Sequence, residues 1–158
     1  MDEKDLKILD LLIQDASLST YRISKKTGIP QTTVLNRMRN LKAEGVIKRT
    51  TLDLDFKKLG KAVKALIFAK VNNRDEQAHG TLGRIEAKLS ALPAVLNVKR
   101  LMGKWDLLVE LVTQDVEELN TFLMTRVRSI KEVEETETIV VLGEWQERHL
   151  PVRNYGNV

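Results

Sequence analysis

Apolar residues recur at helical spacing from the start of the chain: Leu6, Leu9 and Ile13, with Ile8 and Leu12 beside them, over residues 3–14. Steps of three and four place them on one side, so an amphipathic helix is predicted there. Asp2, Glu3 and Asp5 stand at its start, where carboxylates favour the positive end of the helix dipole, and Asp15-Ala16-Ser17 ends it. A second, short helix is expected from a cap at Ser19 or Thr20 through about Lys26, with Ile23 as its inward anchor. Thr27-Gly28-Ile29-Pro30 interrupts it, because Gly28 can turn left-handed and Pro30 can start a helix but not continue one. A third helix over residues 31–43 turns Val34, Met38 and Leu41 inward, and Glu44-Gly45 closes it. Beyond lie an extended run at residues 46–50 and an alternation of Leu52 and Leu54 with Asp53 and Asp55, read together as a strand and a turn.

After residue 60 the period drops to two. Residues 63–72 alternate Ala65, Ile67, Ala69 and Val71 against Leu66, Phe68 and Lys70, which predicts a strand. A helix is expected over residues 81–91, with Leu82, Ile85 and Leu89 inward. Strands at 95–102 and 105–113 flank Gly103-Lys104, a hairpin signal. Asp115 caps a second helix with Val116, Leu119, Phe122, Leu123 and Val127 inward, and residues 133–142 form a last strand. The order βαββαβ is that of a ferredoxin-like split unit. The predicted fold is therefore α+β, with one domain at 1–60 and another at 61–158 joined by a structured hinge. Leu107, Val109 and Leu111 face one side of the third strand, Leu108 and Val112 the other. Two helices cover only one face of four strands, so the second face calls for a second copy of the chain, a homodimer.

Composition narrows the chemistry. The 158 residues contain no cysteine and only two histidines, His79 and His149, so thiol redox, zinc ribbons and cysteine nucleophiles fall away. No metal site, cofactor or catalytic residue is expected. His79-Gly80-Thr81-Leu82-Gly83 has neither a P-loop lysine nor a dinucleotide fingerprint, and Glu134-Glu135 reads more simply as solvated carboxylates than as an acid/base pair. No apolar run approaches the ~20 residues of a membrane span, and Met1-Asp2-Glu3-Lys4 does not begin like a signal peptide. A cytoplasmic setting is the expectation.

The net charge of +4 is unevenly placed. Residues 22–49 carry eight basic side chains and one acidic, whereas residues 61–158 balance at fourteen of each. Within that basic segment, a small Ser24, Gly28 four residues later and Val34 six beyond have the spacing of a helix-turn-helix. Ser24 lets two helices approach, Gly28 makes the turn and Val34 fills the wedge. The third helix then presents Gln31, Thr32, Thr33, Asn36, Arg37 and Asn40 outward, with Leu35 partly so. Lys25, Lys26, Arg37, Arg39, Lys48 and Arg49 are the expected phosphate contacts, and Thr32, Thr33 and Asn36 are the expected readers of base edges. Double-stranded DNA is the expected partner, and a two-fold dimer implies a near-palindromic site.

These features resemble the Lrp/AsnC family of transcription regulators. The resemblance runs from Asp5-Leu6-Lys7-Ile8-Leu9 through Gly28-Ile29, Val34-Leu35-Asn36-Arg37-Met38 and Gly45-Val46-Ile47 to Leu59-Gly60. It continues through Met102-Gly103-Lys104-Trp105-Asp106-Leu107-Leu108 and Thr136-Glu137-Thr138-Ile139-Val140-Val141-Leu142. It implies an amino-terminal winged helix-turn-helix, a carboxy-terminal amino-acid-binding (RAM-type) domain, dimers through that domain and often octamers. It also implies effector residues Gly103 and Asp106 at the hairpin and Thr136 and Thr138 on the last strand. An amino acid's ammonium suits the Asp106 carboxylate, and its carboxylate suits amides or hydroxyls near Gly103, Thr136 and Thr138. Pro30 stands where many relatives place a serine cap. Siroheme decarboxylases resemble the same family and offer an enzyme alternative, but they would need histidine and arginine clusters around a large pocket. An amino-acid sensor acting by protein contact is a third reading, with no use for a basic recognition helix.

Overall fold

The computed structural model describes residues 1–72 and 78–144, which separate into two compact units, Met1–Asp53 and Leu54–Glu144. His149 lies outside the described residues.

The first unit has three helices, α1 (Glu3–Gln14), α2 (Thr20–Thr27) and α3 (Gln31–Ala43). Asp2 caps α1: its carboxylate accepts from the amides of Lys4 and Asp5, while the Asp5 carboxylate accepts from the Asp2 amide at 2.8 Å. Three otherwise unpaired donors are thus satisfied, those of Asp2 and Asp5 reciprocally. Ser19, rather than Thr20, caps α2 by accepting from the Arg22 amide. Gly28, at φ 72°, ends that helix in the left-handed region, and its amide donates to the Ser24 carbonyl. Ile8, Leu18, Ile23, Ile29 and Val34 form the core, with Leu11, Leu12 and Met38 against it. The buried stripe of α1 is Asp5, Ile8 and Leu9, while Ile13 is 36% exposed. The stripe is rotated from the expected one, with Ile8 in the three-helix core and Leu11 and Leu12 packed against it.

Residues 46–55 form no strand. The amide of Ile47 donates back to the Leu41 carbonyl at 3.0 Å, and among the described residues no neighbouring strand holds an extended run in a ladder. Leu52 is 80% exposed.

In the second unit a 3-10 turn, Phe56–Leu59, precedes β1 (Val63–Val71), α4 (Ala78–Ser90), β2 (Val95–Arg100), β3 (Leu107–Thr113), α5 (Val116–Phe122) with a π turn at Leu123–Val127, and β4 (Val133–Val141). The antiparallel sheet runs β2-β3-β1-β4, the ferredoxin-like order. Ala65, Ile67 and Ala69 pair beside Leu111, Val109 and Leu107, and all six are sealed beneath Leu82, Ile85 and Leu89 of α4 and Leu119, Phe122, Leu123 and Val127 of the α5 segment. On the other face, Leu66, Phe68 and Leu108 are half-buried and Ile139 is 44% exposed, with Trp105 leaning on Phe68 at 6.3 Å between ring centres.

Three expectations shift. α4 starts at Ala78, ahead of residue 81, so the backbone of His79 is helical. The β2–β3 connection takes the six residues 101–106, because Leu101 donates to the Asp106 carbonyl at 2.8 Å and closes the loop there. Val116 is 63% exposed, since it directly follows the Asp115 cap and points off the end of the buried stripe. No described helix is long and apolar enough to cross a membrane.

Three carboxyls are held below their ordinary range by hydrogen bonds: Asp2 by the Asp5 amide and then Arg37, Asp15 by the Ser17 hydroxyl and amide, and Glu118 by the Gln114 amide and then Lys61. A lowered folded value means the unfolded chain binds the proton first as pH falls. Their stabilisation is complete above the ordinary carboxylate range and lost on descent through the depressed values. The urea midpoint should therefore hold steady down to about pH 4.5 and fall below it. A midpoint that stays level to pH ~3 would remove this account.

Candidate nucleic-acid interface and ligand site

On the first unit, Lys25, Lys26, Gln31, Thr32, Asn36, Arg39, Asn40, Lys48 and Arg49 are exposed. Inward packing of Val34, Met38 and Leu41 leaves Thr32, Leu35, Asn36 and Arg39 as an outer stripe, at the three- and four-residue steps that align side chains on a helix. Gln31 Nε2 donates to Thr20 Oγ1 at 3.2 Å, tying the first turn of α3 to the first turn of α2. Lys25 Nζ lies 5.7 Å from the centre of the exposed Tyr21 ring. Pro30 heads α3 and no side chain caps the helix. Its first amides therefore lack a side-chain acceptor, and an anion can supply one.

Two expected contacts are placed differently. Thr33 is half-buried and lines, with Asn36, Arg37 and Asn40, a cleft that also includes Asp5 of α1. Arg37 is half-buried too, and its Nη1 lies 2.8 Å from both Asp2 Oδ1 and Asp5 Oδ1. Those two carboxylates, Asp5 first, hold the guanidinium more firmly charged than usual. Arg37 joins the capping box of α1 to the middle of α3. The periodicity of α3 alone gives no sign of this, because Asp2 and Asp5 lie more than thirty residues away in sequence.

Of the four expected ligand residues, Asp106 and Thr136 meet β1 near its end at Ala69, Thr138 pairs at mid-strand with Ile67, and Gly103 lies in the 101–106 loop. Gly103 has φ 147°, a conformation other residues rarely adopt. Asp106 donates its amide to the Ala69 carbonyl, and its carboxylate accepts from the Val71 amide at 2.8 Å and pairs with Lys70 at 3.1 Å. Its first role is therefore to fasten the 101–106 loop to the end of β1. Thr136 is the β4 partner of the same Ala69, and Thr138 is the partner of Ile67. Asp106 and Thr136 thus flank β1 from its two neighbouring strands, roughly 10 Å apart by ladder spacing.

One residue in this region escaped the sequence reading. Arg128, just past the π turn, donates from Nε to Thr136 Oγ1 at 2.9 Å and sends Nη1 toward Met124 Sδ at 3.7 Å. Among the described residues no carboxylate pairs with it. Thr138 Oγ1 is buried without a hydrogen-bond partner. A lone arginine at a helix end carries no sequence signal; only the approach of the α5 segment to β4 gives it meaning. A separate cleft of about 200 Å3 at the other end of the sheet includes Asp55, Lys61, Lys64 and Glu144. Two of its lysines are already paired, Lys64 with Glu110 and Glu144 and Lys61 with Glu118.

Residues 1–48 match a winged helix-turn-helix DNA-binding domain, and residues 65–151 match the Lrp/AsnC ligand binding domain. The chain belongs to the Lrp/AsnC family. It is 34% identical over 154 residues, 97% of either chain, to the HTH-type transcriptional regulator FL11 of Pyrococcus horikoshii. It is 30% identical to the transcriptional regulator AzlB of Bacillus subtilis, over 90% of this chain and 89% of that one. Among solved structures it is similar to B. subtilis LrpC, with TM-score 0.76 and 27% identity over 92% of this chain and 97% of the other. The fold is also that of the Neisseria meningitidis regulator NMB0573 in complex with L-Met, with TM-score 0.85 and 21% identity over 98% and 99%. As a Lrp/AsnC regulator, the chain combines a DNA-binding domain with a ligand-binding domain, and its relatives are transcriptional regulators.

Proposed function

We propose that this Lrp/AsnC regulator binds a near-palindromic operator as a homodimer or a multiple of dimers, works in the cytoplasm by binding alone without catalysis, and answers to an amino acid. The observation that carries the DNA reading is α3, whose outer stripe of Thr32, Asn36 and Arg39 lies in the basic segment and whose amino end has no side-chain cap. Lys25, Lys26, Arg39, Lys48 and Arg49 then neutralise phosphates, with Gln31, Thr32, Asn36 and Asn40 at or near base edges. Thr33 and Arg37 support α3 from behind. The apolar face of the sheet, with Phe68, Trp105, Leu108 and Ile139, supports pairing with a second copy. Two half-sites then follow from the two-fold axis.

For the effector, Arg128 is the better carboxylate receptor: a guanidinium with donors to spare beside a hydroxyl it already orients. The unpaired Thr138 hydroxyl lies two residues along the same strand. Asp106, already neutralised by Lys70, holds the loop that presents Gly103.

The test uses the full chain to capture fragments of the parent genome, with and without a mixture of free amino acids, followed by mass measurement of the complexes. The expected result is a set of fragments sharing an approximate two-fold sequence, bound by an even number of chains. Amino acids should shift affinity or assembly, and Arg128→Met should lose that shift while still capturing the same fragments. Capture without sequence preference, or a one-chain complex, would overturn the DNA reading. An amino-acid response intact in Arg128→Met would remove the effector assignment.

A further inference from the structure

Leu35 stands out on the recognition helix. Among the described residues of α3 it is the one large apolar side chain turned to solvent, 39% exposed, while Val34 and Leu41 are buried and Met38 is half-buried against the core. It lies mid-stripe in the outer face, with Thr32 three residues before it, Asn36 beside it and Arg39 four residues after. An exposed leucine elsewhere on a surface would mean nothing. Here it belongs to the face that the DNA reading sets in the major groove, in the half of a recognition helix that meets base edges.

The chemistry of that groove leaves a leucine few partners. Guanine, adenine and cytosine present donors and acceptors there, and thymine alone adds an apolar group, its C5-methyl. Leu35 against a polar edge would strip water from donors and acceptors without replacing the hydrogen bonds. Against a thymine methyl it buries apolar surface on both sides. We propose that Leu35 is a specificity-determining residue that reads the C5-methyl of one thymine in each operator half-site. The inference rests on the DNA reading above and adds to it a base and the atom recognised. Thr32 and Asn36 then serve the polar edges on either side of that base pair.

The experiment takes the tightest duplex captured by the full-length protein and replaces each thymine of the half-site in turn by deoxyuridine, which pairs identically and lacks only the methyl. Burial of one methyl corresponds to a change of about 4-fold in affinity, or roughly 15-fold when both half-sites are altered together. The wild-type protein should show that loss at one position per half-site. Leu35→Ala, which keeps a strong helix former at an exposed site, should bind the thymine and uracil duplexes equally, and Leu35→Met should retain the preference. Circular dichroism of both variants confirms that α3 is intact. The proposal is overturned if no thymine methyl matters to the wild type, or if the loss on removing one is the same in Leu35→Ala. A protein that captures no duplex at all would bring down the DNA reading itself, whereas tight binding indifferent to methyl removal removes only the role of Leu35.

Discussion

Replacing Ile23 by alanine should lower the stability of the helix-turn-helix unit by about 2–5 kcal/mol. Ile23 has no exposed surface and lies in the cluster of Ile8, Leu18, Ile29 and Val34. Its truncation removes buried apolar surface and leaves a cavity that three short helices cannot easily close. Small domains have little to spare, since whole-domain stabilities run only about 5–15 kcal/mol. The variant should therefore unfold at clearly lower denaturant by far-UV circular dichroism and lose DNA affinity without losing any group that faces DNA. A stability change under about 1 kcal/mol would mean that the core is not closed around this residue.

Arg37→Met should weaken DNA binding for a reason opposite to that of a lost phosphate contact. Methionine keeps an unbranched apolar stem in the same half-buried place but removes the cation shared by Asp2 and Asp5. Asp5, with only 13% of its side chain exposed, is left as a nearly buried carboxylate beside a second one. The capping box of α1 and its link to α3 should loosen together, lowering the melting temperature and the affinity. The slope of log K against log salt should stay as in the wild type, whereas a lost phosphate contact would reduce it by ~0.9. Lys48→Ala, at an exposed position, supplies that comparison. A reduced slope in Arg37→Met would return the residue to the DNA surface.

Much of this architecture was legible because local periodicity and packing agreed. Ile23 and Val34 could be assigned inward from spacing alone, Gly28 from the need for a left-handed turn, and the alternation Ala65, Ile67, Ala69 from the pleat. The order βαββαβ then left few topologies, and the one expected is observed. What escaped depends on partners distant in sequence. Leu52 and Leu54 alternate like a strand, but a ladder needs a neighbour. Arg37 lies in a basic segment, yet its carboxylate partners are decided by where α1 begins. Gly103-Lys104 reads as a two-residue hairpin, but the hydrogen bond from Leu101 to Asp106 closes a longer loop, which Asp106 fastens to Ala69. Arg128 carries no pattern of its own and became a ligand candidate only through Thr136, eight residues on.

The uncapped start of α3 has a kinetic consequence. No side chain accepts from the amides after Pro30. The amides of Gln31, Thr32 and Thr33 are thus without the protection that an intrahelical bond gives against hydrogen exchange. An operator phosphate would act as the absent cap. The first turn of the helix would then be completed by the molecule it reads, and slowed amide exchange at these three residues would mark the moment of docking.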